Sequence, residues 1–309
     1  MMLVTGTPEL NLVTGAFSYT GKYITQRLLS MGERVKTLTG RSDLENPFGS
    51  QVTTSPFNFD NLSLLTESLQ GATTLYNTYW VRFPYGGVTF DRAVENSKTL
   101  IKAAENAGIR RIVHISITNP SEESPFPYFS GKALVEKAII HSKLSYAVVR
   151  PTVIFSAEGV LINNIAWLLR RFPIFAIPGS GDYRIQPVFA EDVAEIAVRM
   201  GHREDNAVTD AVGPEIYSFD ELVRLIARKT RSRTKIIHIK PGLALFVARL
   251  IGYVVKDVVI TKDEIQGLMS NLLVFESPPT GQTHLSEWLE QNANRVGASY
   301  ISDLQRHYR

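Results

Sequence analysis

The chain contains no cysteine. Disulfides, thiolate metal centres and a cysteine nucleophile are therefore excluded, and tertiary structure rests on packing and hydrogen bonding. A large excess of one charge sign is also lacking. The 33 Lys and Arg residues stand against 30 Asp and Glu, a net of +3, too mild a balance to argue for a nucleic-acid partner. Six histidines occur without the paired spacing of a metal site, so no metal is expected, and His114, His141 and His238 read as core or surface residues. The N-terminus lacks a basic region followed by an apolar run, so no signal peptide is expected. No run reaches the roughly 18 apolar residues of a membrane span, and the nearest, GLALFVARLIGYVV (242–255), is broken by Arg249. The expected location is the cytoplasm.

What the chain does have is an ordinary globular composition, 44% hydrophobic and 20% charged over 309 residues, enough for a sizeable core. Short runs rich in β-branched and aromatic residues occur at 11–14, 35–39, 51–59, 73–80, 111–117 and 146–154. Several lack polar alternation, as strands buried on both faces do. Helix-period segments lie between them at 20–31, 92–107 and 131–142, and the first two stop at glycines. This alternation predicts parallel βαβ units and a doubly wound, Rossmann-type α/β sheet over residues 1–155. Beyond 155 helical patterns dominate, at 160–172, 191–201, 218–230, 243–256, 261–273 and 284–294, with a capping box at Ser218 and Glu221. Residues 156–309 are expected to form a smaller, mainly helical substrate or lid region interleaved with the sheet rather than an independent domain.

The first strand runs into VTGAFSYTG (13–21), with glycines at Gly15 and Gly21 and Ser18 between them. A glycine turn between a first strand and its helix lets backbone N–H groups and the positive helix end face a diphosphate. Gly15, Phe17, Ser18, Tyr19, Thr20 and Gly21 are the expected cofactor contacts of this turn. Ser18 stands where a middle glycine is usual; its hydroxyl could reach phosphate, but serine tolerates positive φ less well. The second strand ends in Gly40-Arg41-Ser42 with no carboxylate until Asp43. A cation there suits a 2′-phosphate, so NADP(H) is favoured over NAD(H). Asp60, after the third strand, could meet an adenine amine or cap the following helix.

VTGAFSYTG, Asp60, PYFSGKALVEKA (127–138), VVRPTVIF (148–155) and QPVFAEDVAEIAV (186–198) together resemble the short-chain dehydrogenase/reductase superfamily in its atypical or extended branch. The likeness is nearest to the NmrA-like and complex I accessory-subunit-like groups, and it covers nearly the whole chain. The resemblance implies an NAD(P)-dependent oxidoreductase. Tyr128 and Lys132 match its Tyr-x-x-x-Lys signature, the tyrosine as acid/base and the lysine both as tuning charge and as holder of the nicotinamide ribose. One helical turn separates them, so both face one site. Ser116 or Thr118 would polarise the substrate oxygen, with Ser116 preferred. Arg150-Pro151-Thr152 resembles the segment passing the nicotinamide carboxamide, which makes Pro151 a cofactor contact. Asn96 would support its helix indirectly, and Asp192 would cap its own.

Asn77, Tyr79, Trp80 and Arg82, in LYNTYWVRF (75–83) where the fourth strand ends, would line the substrate end, with core packing the competing role for the two aromatics. An apolar or aromatic small molecule is the expected substrate. An epimerase or dehydratase would use the same residues, and a non-catalytic dinucleotide sensor or assembly factor is the other reading. The basic run 227–240 reads first as a solvated face. With the apolar 242–255 it could also rest on an anionic membrane, cover a substrate pocket or dimerise.

Overall fold

The computed structural model describes residues 9–40 and 46–307. In chain order the elements are β1 (Leu10–Thr14), α1 (Tyr19–Ser30), β2 (Arg34–Thr39), β3 (Val52–Pro56), α2 (Leu62–Leu69), β4 (Thr74–Asn77), α3 (Phe90–Asn106), β5 (Arg111–Ile115), α4 (Pro127–Ile140), β6 (Ser145–Pro151) and β7 (Val153–Phe155). There follow α5 (Val160–Arg171), β8 (Ile174–Pro178), β9 (Arg184–Ile185), β10 (Pro187–Phe189), α6 (Ala190–Gly201), β11 (Ala207–Ala211), β12 (Tyr217–Ser218), α7 (Phe219–Lys229), β13 (Lys235–Ile239), α8 (Pro241–Val255), α9 (Lys262–Met269), α10 (Leu285–Asn292) and α11 (Asp303–His307).

Seven strands form the main sheet in the order β11-β6-β5-β4-β1-β2-β3. Every pairing from β3 across to β6 is parallel. The order reverses between β1 and β4, the switch point at which doubly wound sheets bind ligands. β1, β4 and β5 are buried along almost their whole length, which is why their sequences show no polar alternation. The fold is thus the α/β, Rossmann-like architecture that the strand-helix rhythm predicts.

Two compact units divide the chain. The first comprises residues up to 116, 120–149 and 194–209, and the second 117–119, 150–193 and 210 onward. Residues 194–209 thus return to the first unit from well beyond position 155. In the first unit Leu12, Leu38, Leu75 and Ile112 from the strands meet Leu65 and Leu69 of α2, Leu100 and Ala104 of α3, and Val135 and Ile139 of α4. The right-handed crossover rule puts α1 on the opposite face, where Arg27 pairs with Glu195.

The second unit packs Phe155, Ile165, Leu169, Ile177 and Ile185 against Leu222 and Ile226 of α7 and Leu285, Trp288 and Leu289 of α10. Both parts of the capping box at Ser218 and Glu221 are present. Three two-stranded sheets, β7–β10, β9–β12 and β8–β13, add strand content to a region read as mainly helical. One corrects the basic run: residues 235–239 form β13, parallel to β8, with Ile236 against the core. Asp192 also differs from expectation. Its carboxylate accepts from Gln282 N, Thr283 N and Thr283 Oγ1 at 2.9, 2.9 and 3.2 Å, so it fastens a distant loop. Among the described residues no helix is long and apolar enough to cross a membrane.

Candidate functional site

The turn after β1 is built from its glycines. Gly15 adopts φ +66°, and its N–H donates to Leu38 O of β2 at 2.8 Å. Gly21 packs so tightly on it that a Cβ would stand 2.1 Å from Gly15 O, so position 21 excludes every side chain. Ser18 answers the question of the missing middle glycine. It sits at φ −84°, ψ 173°, an extended conformation that needs no glycine. Its N–H and its hydroxyl both donate to Gly15 O, at 2.8 and 2.6 Å. The hydroxyl proton therefore closes the loop on itself.

The first N–H groups of α1 have no acceptor within the helix, and no acidic side chain stands in its first turn. This donor-rich, positive helix end suits a diphosphate. Thr20 lies in that turn, half-buried; the Phe17 ring approaches Phe48 at 6.4 Å and Tyr19 meets Tyr23 edge-on at 6.0 Å. Arg41 lies outside the described residues.

Asp60 is exposed, 4.0 Å from an Arg92 nitrogen. Of its two candidate roles, the helix cap belongs instead to Asn61, whose side chain accepts from Leu64 N at 3.1 Å. Near Asp60, Phe57 stacks on Phe59 at 4.9 Å, and Tyr79 tilts against both at 5.4 and 5.0 Å. This aromatic platform at the ends of β3 and β4 was missed from sequence, where Phe57 and Phe59 read only as strand residues. Asn96 donates to Tyr79 Oη at 2.8 Å, so its support is given to the platform.

Tyr128 follows Pro127 at the start of α4, and Lys132 lies one turn on. Lys132 is buried; its Nζ donates to Ile115 O at 2.8 Å and sits 4.8 Å from the Trp80 ring centre. Burial pushes its pKa down to about 7, against a weaker opposite pull from Glu136. Trp80 lies against Gly131, stacks on Phe90 at 6.1 Å and meets Tyr128 edge-on at 6.0 Å. Tyr128, Lys132, Trp80 and Phe90 are therefore one cluster. Ser116 directly follows the residue whose carbonyl holds Lys132, and its N–H donates to Val149 O at 2.8 Å.

Asn77 is fully buried and its amide is committed. Oδ1 accepts from Tyr79 N at 3.1 Å and Thr14 Oγ1 at 3.3 Å, while Nδ2 meets His114 Nδ1 at 3.2 Å. Asn77 thus braces the wall from inside and is not placed to meet a substrate. Because the amide nitrogen is a donor, His114 Nδ1 must accept, which assigns the ring proton to Nε2. Burial, and then Lys132, hold the His114 pKa well below its ordinary value, so the ring stays neutral. Among the described residues, no hydrogen-bond partner meets His114 Nε2, Ser116 Oγ or Trp80 Nε1, all buried. Such groups are costly when unpaired, and they fit a site that meets polar atoms of a bound molecule.

Arg82 lies over its neighbour Phe83 at 5.4 Å. Thr118 and Pro151 belong to the second unit, where Thr118 N donates to Pro151 O at 2.9 Å. Ser116, Tyr128 and Lys132 all belong to the first.

The NmrA-like family model matches residues 9–270. A relative from Arabidopsis thaliana named NADH dehydrogenase [ubiquinone] 1 alpha subcomplex subunit 9, mitochondrial, is 22% identical over 286 residues, covering 86% of this chain and 71% of its own. The photosystem II assembly factor Ycf39 of Guillardia theta is 25% identical over 250 residues, 78% of this chain and 77% of its own. Among solved structures, the NADPH-dependent quinone oxidoreductase QOR2 of Escherichia coli, complexed with NADPH, superposes with a TM-score of 0.71 at 18% identity. That match covers 91% of this chain and 99% of the oxidoreductase.

Proposed function

The chain belongs to the NmrA-like family, and from that premise we propose that it is an NAD(P)-dependent oxidoreductase acting on a carbonyl or alcohol carbon. The observation that supports this reading is buried Lys132, one turn from Tyr128 and bonded to Ile115 O immediately before Ser116, whose buried hydroxyl meets no partner among the described residues. A phenol titrates near pH 10 and needs help to exchange a proton at neutral pH. Lys132, one turn away, favours the phenolate while it holds its proton, that is up to about pH 7. Ser116 donates to the substrate oxygen and orients it, and Tyr128 gives that oxygen its proton or takes it away. Nicotinamide, when bound, supplies or accepts the hydride. Gly15, Gly21 and the first turn of α1 hold the diphosphate, and the Phe57, Phe59 and Tyr79 rings offer a flat apolar wall to a base.

The preference for NADP(H) rests on Arg41 at the end of β2. Replacing it (Arg41→Ala) is expected to weaken NADPH binding more than NADH binding in fluorescence titrations; equal losses overturn that preference.

A second reading has its own observation. Trp80 lies over the Lys132 ammonium and against Tyr128, which covers the groups that chemistry would use. In that reading the chain binds a dinucleotide without turnover, as an accessory or assembly factor, a role in keeping with the names of the relatives from A. thaliana and G. theta. One experiment separates the two. NADPH and NADH are titrated, then a broad panel of quinones, aldehydes and ketones is assayed with wild type and Tyr128→Phe. The oxidoreductase reading expects turnover that falls at least a hundredfold in the variant. Tight dinucleotide binding with no tyrosine-dependent turnover favours the second reading, and absence of binding overturns both.

A further inference from the structure

We propose that α8, with the basic segment leading into it, is a docking surface for the face of an anionic lipid membrane. Between residues 227 and 256 the sequence holds eight Lys and Arg and not one Asp or Glu. The run Ala227–Lys240 ends on α8, whose 15 residues begin at Pro241. Lys240 is the N-cap of that helix and Lys256 its C-cap.

The helix turns its small residues inward, with Ala244 and Gly252 buried. Outward it presents Leu243, Phe246, Leu250, Tyr253 and Val254, which are 52%, 56%, 55%, 88% and 76% exposed. At 100° per residue these five fall within an arc of about 100°, a continuous apolar stripe. Arg249 lies at the edge of that arc, and the two lysine caps close its ends. Folded chains do not leave an aromatic and aliphatic ridge of this kind in water without a use for it.

Charge decides among the occupants. Of the eight cations, Lys229 is paired with Glu290 at 2.7 Å; the other seven are exposed. The first carboxylate after the helix, Asp257, is buried and accepts from Tyr300 Oη, Asp303 N and Leu304 N, so its charge is spent internally. A second copy of the chain would set the same cations against themselves across an isologous interface. An anionic leaflet meets both features, taking the stripe into its headgroup boundary and the cations among its phosphates. The helix would lie on the membrane and not cross it. At 1.5 Å per residue it spans roughly 22 Å, short of the ~30 Å hydrocarbon core.

Co-sedimentation with vesicles tests the proposal on the full chain. Vesicles of equimolar phosphatidylcholine and phosphatidylglycerol are compared with phosphatidylcholine alone. Wild type is expected to sediment with the anionic vesicles, at least tenfold more weakly with the neutral ones, and to be released by high salt. Two variants at exposed positions are read alongside: Phe246→Gln/Leu250→Gln/Tyr253→Gln, and Arg231→Gln/Arg233→Gln/Lys235→Gln. Each is expected to lose at least tenfold in partitioning while keeping the wild-type melting temperature. Wild type that stays in the supernatant overturns the proposal, as does either variant sedimenting like wild type. A concentration-dependent dimer in size-exclusion chromatography, abolished by the apolar variant and unaccompanied by vesicle binding, overturns it in favour of a second copy.

Discussion

Lys132 is buried, its ammonium donating to Ile115 O, and the pull of Glu136 offsets only part of the cost of that burial. Its folded-state pKa of about 7 against an ordinary 10.5 makes it a destabilising charge wherever it is protonated in both states. Below pH 7 that cost is fully present. Between pH 7 and 10.5 the unfolded chain keeps a proton that the folded chain has released, so stability rises with pH across this window. Replacing the lysine (Lys132→Met) removes the titration. The variant is expected to melt higher than wild type at pH 6, and the gain should shrink by on the order of 2–3 kcal/mol at pH 9. Thermal unfolding followed by circular dichroism at the two pH values checks this; an equal difference at both would contradict it. That Tyr128 and Lys132 share a helix face was legible from their spacing, while the roles given to them came from the family resemblance. The Trp80 cover and the Asn77–His114 brace were not, because they depend on which side chains of β4 and β5 come to face each other.

The β1-turn-α1 element is fixed by sterics more than by chemistry. Gly21→Ala places a methyl where Gly15 O already stands, so either α1 shifts or the turn opens. Dinucleotide affinity is expected to fall more than tenfold, with a lower melting temperature, and isothermal titration with NADPH beside a thermal scan reads both. Ser18→Gly, by contrast, removes only the hydroxyl's bond to Gly15 O, keeps the backbone one, and loosens a turn that does not require positive φ there; a milder loss follows. At α7 the capping box predicts that Ser218→Ala costs about 1 kcal/mol in chemical denaturation. These elements were readable because their signals are local: a glycine pair, a capping pair, a helical period. β13 was hidden because Lys235 and His238 made KIIHI look like part of a solvated charged run. β9 and β12, at two residues each, are too short for any period to emerge.

At the scale of the whole chain, the feature least visible in sequence is the return of residues 194–209 to the first unit. Its fastening is Arg111, the first residue of β5, which is wholly buried. Nε donates to Met200 O at 2.8 Å, one terminal nitrogen to Asp205 O at 2.9 Å, and the other to the Ser145 hydroxyl. One guanidinium thereby joins three stretches of chain, β5, β6 and the end of α6 with the residues that follow it, whose bonded positions lie 34 to 94 residues from Arg111. Read in sequence, Arg111 was only the polar start of the run RIVHISI, because nothing local marks a buried arginine whose acceptors are remote carbonyls. Burial lowers its pKa, with Arg110 adding to the effect, but a guanidinium keeps its charge. Replacing it (Arg111→Met) therefore fills much of the volume while leaving the Met200 and Asp205 carbonyls without that donor. The expected cost is about 3 kcal/mol, together with faster amide exchange over 200–209 and at the start of β6. Arg203→Ala, which removes a surface pair with Asp205, should leave exchange in the same segment near wild type. Equal effects from the two variants would mean that the segment is held by its surface charges, and that the buried guanidinium is not what closes the first unit.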